Sequence, residues 1–256
     1  MDAIVTAGGT PRPDDPLYPL TEGRPKALLD VSGKPMIQWV LDALAGSARV
    51  ERVLVTGLPE DTPLAFPRPL TILPDHGSML DNIQTAARLL TPSHRPEDFI
   101  LTISSDIPTI TTYHVDWVIE QVEQTPQDGF YAAIERRAME QRFPGSRRTY
   151  LKLKGSELCG GDFNAVRLKL ISEDHPLWHK IFAARKSPLK QAALLGVDTL
   201  FLILFRQLTL ERAAIKLGAK LGVTARAVIS PFPELGMDVD KPYQLELVRA
   251  DLPAQG

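Results

Sequence analysis

Residues 1–10 read MDAIVTAGGT, a short apolar run that breaks off at a glycine pair. Ala3 to Ala7 is almost wholly apolar, the pattern of a strand buried on both faces, and Gly8-Gly9 marks a tight turn at its end. Arg52 to Thr56 (RVLVT) repeats that pattern, Leu70 to Leu73 is a shorter copy, and Phe99 to Ser104 (FILTIS) is another. Amphipathic segments follow these runs. MIQWVLDAL after Pro35 carries apolar residues at helical spacing, with Pro35 suited to a first turn and Gly46 near the end. Ser78 is placed to cap a helix containing Leu80, Ile83, Ala87 and Leu90, and Thr111 or Thr112 one containing Val115, Val118, Ile119 and Val122. Strand then helix, three times over, predicts an α/β fold with a doubly wound, mostly parallel sheet.

Beyond residue 128 the pattern loosens. Gly129 to Ile134 and Thr149 to Leu153 read as strands, and Gly160-Gly161 reads as a turn ahead of the apolar segment Ala165 to Ile171. Residues 176–221 carry helical character, Ala225 to Ile229 returns to strand, and Met237 to Val248 passes from an extended piece into a terminal helix. No linker divides the chain, so the expectation is one domain over 1–256 with a helical insertion at about 172–222.

Composition narrows the function. The 256 residues are 44% hydrophobic, with 29 Lys and Arg against 31 Asp and Glu, a net charge of −2. Such a balance argues against a protein that coats nucleic acid or membranes, yet leaves room for a small anionic ligand. Cys159 is the only cysteine, so neither an internal disulfide nor a zinc cluster built on paired cysteines is expected. That cysteine usage makes a reducing, cytoplasmic compartment the expectation, and an acid at position 2 with no long apolar run does not read as a signal peptide. The most apolar stretch, Ala192 to Phe205, is fourteen residues interrupted by Asp198. It falls short of the roughly 20 residues of a spanning helix, and reads as a buried helix or a contact between subunits of a homo-oligomer.

Open parallel sheets bind ligands at the carboxyl ends of their strands. Three loops leave such ends with suggestive residues. Ala7-Gly8-Gly9-Thr10, followed by Arg12 and by Arg24-Pro25-Lys26, is either a tight turn or a loop that brings N–H groups and cations to an anion. It is neither the dinucleotide fingerprint nor a P-loop. Asp106, in SSDIP, is either a cap or a ligand for a hard divalent ion. Asp238 and Asp240 alternate in an extended segment ahead of Lys-Pro, and are either solvated or a second metal contact. His76, the His175/Trp178/His179 group, and the pairs Arg136-Arg137 and Arg147-Arg148 read more simply as packing or surface residues. Cys159 has no neighbouring His and reads as structural.

Taken together, TAGGT…RPKALLDVSGKPMIQWVLDAL over residues 6–44, SSDIP over 104–108 and MDVDKPYQLEL over 237–247 resemble the sugar-1-phosphate nucleotidyltransferases and their molybdenum-cofactor guanylyltransferase-like relatives. The resemblance implies a Rossmann-like nucleotidyltransferase (GT-A type) fold. It further implies that Ala7, Gly8, Gly9, Thr10 and Arg12 line the nucleotide and that Lys26 contacts the triphosphate. Asp106 and Asp240 would hold Mg²⁺, with Asp238 as an alternative ligand. Gly77, Ser78 and Asn82 would meet base or ribose, and Gly160, Gly161 and Asn164 a phosphorylated acceptor. The family loop continues Gly-Gly-x-Gly-Thr-Arg, but here the later glycine is missing, and Pro11 and Pro13 supply no backbone donors.

The implied reaction is in-line attack of an acceptor phosphate on a nucleoside triphosphate, expelling pyrophosphate. It needs charge neutralisation and positioning rather than a base, which suits Lys26 and Asp106 as the catalytic pair. A sugar 1-phosphate is the simplest acceptor, with a molybdopterin or alcohol phosphate next. A nucleotide-sugar-dependent glycosyltransferase would carry Asp-x-Asp at the end of the central strand, where this chain has Ser104-Ser105-Asp106. A nucleotide-binding regulator without turnover is an alternative that the altered loop keeps open, with the retention of Lys26, Asp106 and Asp240 arguing the other way.

Overall fold

The computed structural model describes residues 1–174, 178–180, 202 and 207–253. The strands in chain order are β1 (Asp2–Thr6), β2 (Asp30–Val31), β3 (Lys34–Pro35), β4 (Arg52–Thr56), β5 (Leu70–Leu73), β6 (Phe99–Ser104), β7 (Gly129–Glu135), β8 (Leu151–Leu153), β9 (Ser156–Gly160), β10 (Phe163–Arg167) and β11 (Ala225–Ser230). Among the described residues, nine of them form one sheet in the order β5-β4-β1-β6-β10-β7-β9-β8, with β11 added alongside β7. β2 and β3 form a separate small hairpin.

The first half of this sheet follows from the buried runs. β1 lies parallel between β4 and β6, and β5 extends the parallel set. Alternate residues of β1 serve opposite faces. Ala3 and Val5 pack with the helices Met36–Gly46 (Ile37, Val40, Leu41, Leu44) and Thr112–Glu123 (Val115, Val118, Ile119, Val122). Ile4 packs with Leu54, Ile100 and the helix Met79–Leu90 on the other side. Ile4 is fully buried, and truncating such a side chain costs about 2–5 kcal/mol.

The parallel set of the expected mostly parallel sheet is joined in the second half by antiparallel pairings. β10 runs against both β6 and β7, and β9 runs against β7 and β8, while β11 returns parallel to β7. Gly160-Gly161 is thus no simple turn. Ala165 pairs with Phe130 and Gly160 with Ala133, so the β9–β10 segment carries two more residues than β7 over that interval. Gly161 and Asp162 take up the excess as a bulge, beyond which the segment pairs with β6 on one side while still pairing with β7 on the other. A Cβ on Gly161 would lie 2.8 Å from the Ala132 carbonyl oxygen, so the bulge demands glycine. The apolar stretch Ala165 to Ile171 divides into the end of β10 and a short helix, Leu168–Ser172. Most of the expected insertion, including nearly all of Ala192 to Phe205, lies outside the described residues, although Leu210–Leu221 is helical as expected. No helix among the described residues is long and apolar enough to cross a membrane.

Thr111 is the residue that starts the Thr112–Glu123 helix, and its N–H donates to His114 Nδ1 at 3.0 Å. His114 is buried, 5.0 Å from the Phe232 ring, with Nε2 3.8 Å from Glu234 and Arg142 beyond it. Burial holds the imidazole below its ordinary value of 6.5, with Arg142 acting in the same sense and Glu234 opposing. The unfolded chain then binds this proton more readily than the folded one, so stability is complete above 6.5 and falls as pH drops through it. His114→Gln keeps an acceptor for the Thr111 N–H but cannot titrate. Urea unfolding at about pH 7.5 and about pH 5.5 should show a smaller acid loss for the variant than for the wild type. Equal losses would mean that His114 does not drive the pH dependence.

Candidate active site

The chemistry-bearing residues gather where β1 and β6 end. Leaving β1, the Ala7 N–H donates to Thr56 O at 2.8 Å, which directs Gly8 against Gly57. Gly57 has φ of +99°, and a Cβ there would fall 2.3 Å from both the Gly8 Cα and N. A Cβ on Gly8 would lie 3.0 Å from Asn82 Nδ2. Backbone touches backbone here, which only glycines allow. Among the described residues no acceptor meets the N–H groups of Gly8 and Gly9. Gly9 O instead accepts from Lys26 N at 2.9 Å, and a Cβ on Gly9 would press within 3.2 Å of Lys26 Cε. The long loop after β1 is therefore closed at its base, while Thr10 and Arg12 near its start are exposed.

Lys26 reaches into the centre. Its ammonium lies 2.5 Å from Asp106 Oδ2, 2.6 Å from Asp240 Oδ1 and 3.2 Å from Val239 O. Burial works to lower its pKa, but the two carboxylates outweigh it and hold the lysine above its ordinary value. Asp106 is buried at the end of β6, where Ser104 Oγ donates to its Oδ1 at 2.5 Å and its carbonyl accepts from Val239 N at 2.9 Å. Asp240 is set by its own N–H donating to Gln244 Oε1 at 2.9 Å, inside the first turn of the helix Pro242–Asp251. Asp106, Asp238 and Asp240 each offer a carboxylate oxygen, and these lie within 4.8 Å of one another.

Asp238 is paired with the guanidinium of Arg148, whose other nitrogen lies 3.7 Å from Asp162 Oδ2. Arg148 is thus largely buried rather than a solvated loop charge, whereas Arg147 is exposed over the Tyr243 ring. Asp162 stands on the bulge, its N–H donating to Leu235 O at 2.7 Å. About a third of its side chain, 34%, is exposed, but its Oδ2 is closed off from solvent. Poor hydration first, and the charge of Asp106 second, push its carboxyl up to about 7, against the pull of Arg148 and Lys26.

Other expected residues make bonds within the protein. Asn82 spends its amide on the 75–77 loop, accepting from His76 N at 2.7 Å and donating to Asp75 Oδ1 at 2.8 Å. Gly77 turns that loop with φ of +98°, and Ser78 Oγ caps the following helix by accepting from Asp81 N. Asn164 bridges the bulge, accepting from Ala132 N at 3.1 Å and donating to Gly161 O at 3.0 Å. The Tyr131 hydroxyl lies beside Gly160, 2.3 Å from where a Cβ would stand. Trp178 donates to Leu170 O and His179 pairs with Asp174, away from this cluster, and His175 lies outside the described residues. Burial raises the Cys159 thiol, as befits a structural residue.

Gly57, Arg148 and Asp162 are the residues whose part the sequence understated. Gly57 carried a signal of its own, a glycine directly after a buried strand. Arg148 and Asp162 had only their neighbours, an arginine pair and a glycine pair. A concavity of about 840 Å³ lies at the opposite end of the sheet, where Asp2 and Arg52 already pair at 2.6 Å. It contains none of this constellation.

Residues 3–230 match the MobA-like NTP transferase domain, and the chain belongs to that family. It is accordingly a nucleotidyltransferase by class. A hypothetical transferase from Thermus thermophilus is 32% identical, with a TM-score of 0.79 over 95% of this chain and 98% of that one. A CMP:2-keto-3-deoxy-manno-octonic acid synthetase complexed with CTP shares the fold at 18% identity and a TM-score of 0.56, covering 97% and 96%. The 2-C-methyl-D-erythritol 4-phosphate cytidylyltransferase of Francisella tularensis does so at 9% and 0.61, covering 98% and 99%. No curated protein sequence matches significantly.

The Gly8–Gly57 contact gives a sharp expectation. Gly57→Ala should cost about 2 kcal/mol or more, because backbone strain and overlap with Gly8 add. Gly145→Ala, at φ of +82° but with open space around it, should lose only the backbone part, about 1 kcal/mol. Comparable urea midpoints for the two variants would refute the close approach.

Proposed function

We propose that the chain transfers a nucleoside monophosphate from a nucleoside triphosphate to a phosphorylated acceptor, most simply a sugar 1-phosphate, and releases pyrophosphate. The observation that carries this is the convergence of Lys26, Asp106 and Asp240 beside the open N–H groups of Gly8 and Gly9. An acceptor phosphate oxygen forms a bond to the α-phosphorus while the bond to the pyrophosphate oxygen breaks. The acceptor is already ionised, so no side chain has to remove a proton. Gly8 and Gly9 donate to phosphate oxygens, and Lys26 neutralises the charge growing on the leaving group.

The donor set fits magnesium: hard carboxylate oxygens from Asp106 and Asp240, with Asp238 within reach and no thiol or imidazole among them. When bound, that ion would supply a positive charge shared between protein and phosphates. On the other side of the cluster, Arg148 and the 160–164 bulge border the space left for the acceptor. Asn164 and Gly161 act there by holding the shape of the bulge, and Asn82 holds the nucleotide loop in the same way.

Pyrophosphate release should be measured with Mg²⁺, the four ribonucleoside triphosphates and dTTP, against a pool of phosphorylated acceptors. Release that needs one triphosphate, one acceptor and Asp106 is the expected result, and Asp106→Ala should lower the rate by about 10²–10³. Nucleotide binding without turnover for any acceptor would favour the regulatory alternative that Pro11 and Pro13 raise. Failure to bind any nucleotide would overturn the proposal.

A further inference from the structure

Resting on that reading, we propose that Lys26 is the resident cation of the metal site in the free enzyme, so that the divalent ion enters only as its chelate with the nucleoside triphosphate. The ammonium stands between the two carboxylates best placed for a metal, at 2.5 Å from Asp106 and 2.6 Å from Asp240. A third oxygen, Val239 O, lies 3.2 Å away, so all three N–H donors have an acceptor nearby. The stem cannot easily withdraw. Lys26 N is bonded to Gly9 O, and its methylenes lie against Gly9, with only 17% of the side chain exposed.

A bare divalent ion would have to share Asp106 and Asp240 with a buried ammonium, or drive that ammonium off with nothing to receive it. Both courses are unfavourable where water screens poorly. Asp238 offers no way round, because Arg148 holds it. A triphosphate resolves the conflict by bringing anionic oxygens for the displaced ammonium together with the ion that takes its place. Gly8 and Gly9, whose N–H groups meet no acceptor among the described residues, adjoin the route by which those oxygens arrive. Lys26 therefore belongs to the carboxylates before substrate binds and to the phosphates afterwards.

Mn²⁺ alone, followed by its electron paramagnetic resonance signal, is the probe. Wild-type protein should bind it weakly without nucleotide, and well once a non-hydrolysable triphosphate is added. Lys26→Met keeps most of the stem and removes the charge. It should bind Mn²⁺ alone about tenfold tighter or more, equivalent to ~1.4 kcal/mol of relieved competition. Adding Asp106→Asn to Lys26→Met should abolish the gain, and Lys26→Gln serves if circular dichroism finds the methionine variant unfolded. Equal Mn²⁺ affinity in wild type and Lys26→Met would overturn the proposal, as would a gain that survives Asp106→Asn. Absence of pyrophosphate release with every acceptor would instead count against the transfer reaction and leave the Mn²⁺ result standing.

Discussion

The ammonium of Lys26 is the point on which the constellation closes. It joins the loop after β1 to the end of β6 and to a segment 214 residues further along the chain. Taking an ammonium and the buried Asp106 carboxylate out of water is costly, and the pairing offsets that cost only while geometry is good. Neighbouring requirements follow. Gly9 leaves room for the stem, which a Cβ would crowd, Val239 presents its carbonyl to Lys26 and its N–H to Asp106, and Gln244 holds the backbone of Asp240. Had Lys26 been neutral, Asp106 would lie buried with Ser104 as its remaining side-chain partner.

Much of this was legible. β4, β5 and β6 have the bounds that their apolar runs indicate, because a strand buried on both faces has no pattern but continuity and its edges are cut by turn residues. Ser78 and Thr111 start their helices for equally local reasons. The grouping of Lys26, Asp106 and Asp240 was also visible, since each follows a strand or precedes a helix in an order that a known family repeats. The antiparallel half was not visible. Pairing of β10 with β6 and β7 is set by contacts far apart in sequence, and Gly160-Gly161 looks the same locally whether it turns the chain or bulges it.

Side-chain roles were harder than positions. Asn82 and Asn164 sit where the family resemblance places ligand contacts, yet the amide of each is committed to backbone or to Asp75. An amide with two donors and an acceptor can shape a loop as readily as read a ligand, and residue type does not distinguish these uses. Arg148 shows the reverse. In an irregular, charged run it resembles a solvated arginine until the fold brings Asp238 and Asp162 to it.

Asp238 and Asp240, two residues apart, end up in different ion pairs. Asp240 faces Lys26 and Asp106, whereas Asp238 faces Arg148, with Asp162 further off. Val239, between them in the chain, sides with the first pair, its backbone bonding to both Asp106 and Lys26. The cleft therefore holds four carboxylates and two cations in two adjoining sets, one beside the glycine loop and one beside the bulge. Each set conceals a cation from solvent behind the acids it neutralises. An anion alone would have to compete with those carboxylates, and a metal alone with those cations. A ligand that carries both charges meets neither obstacle, which makes charge compensation itself a filter on what the cleft admits.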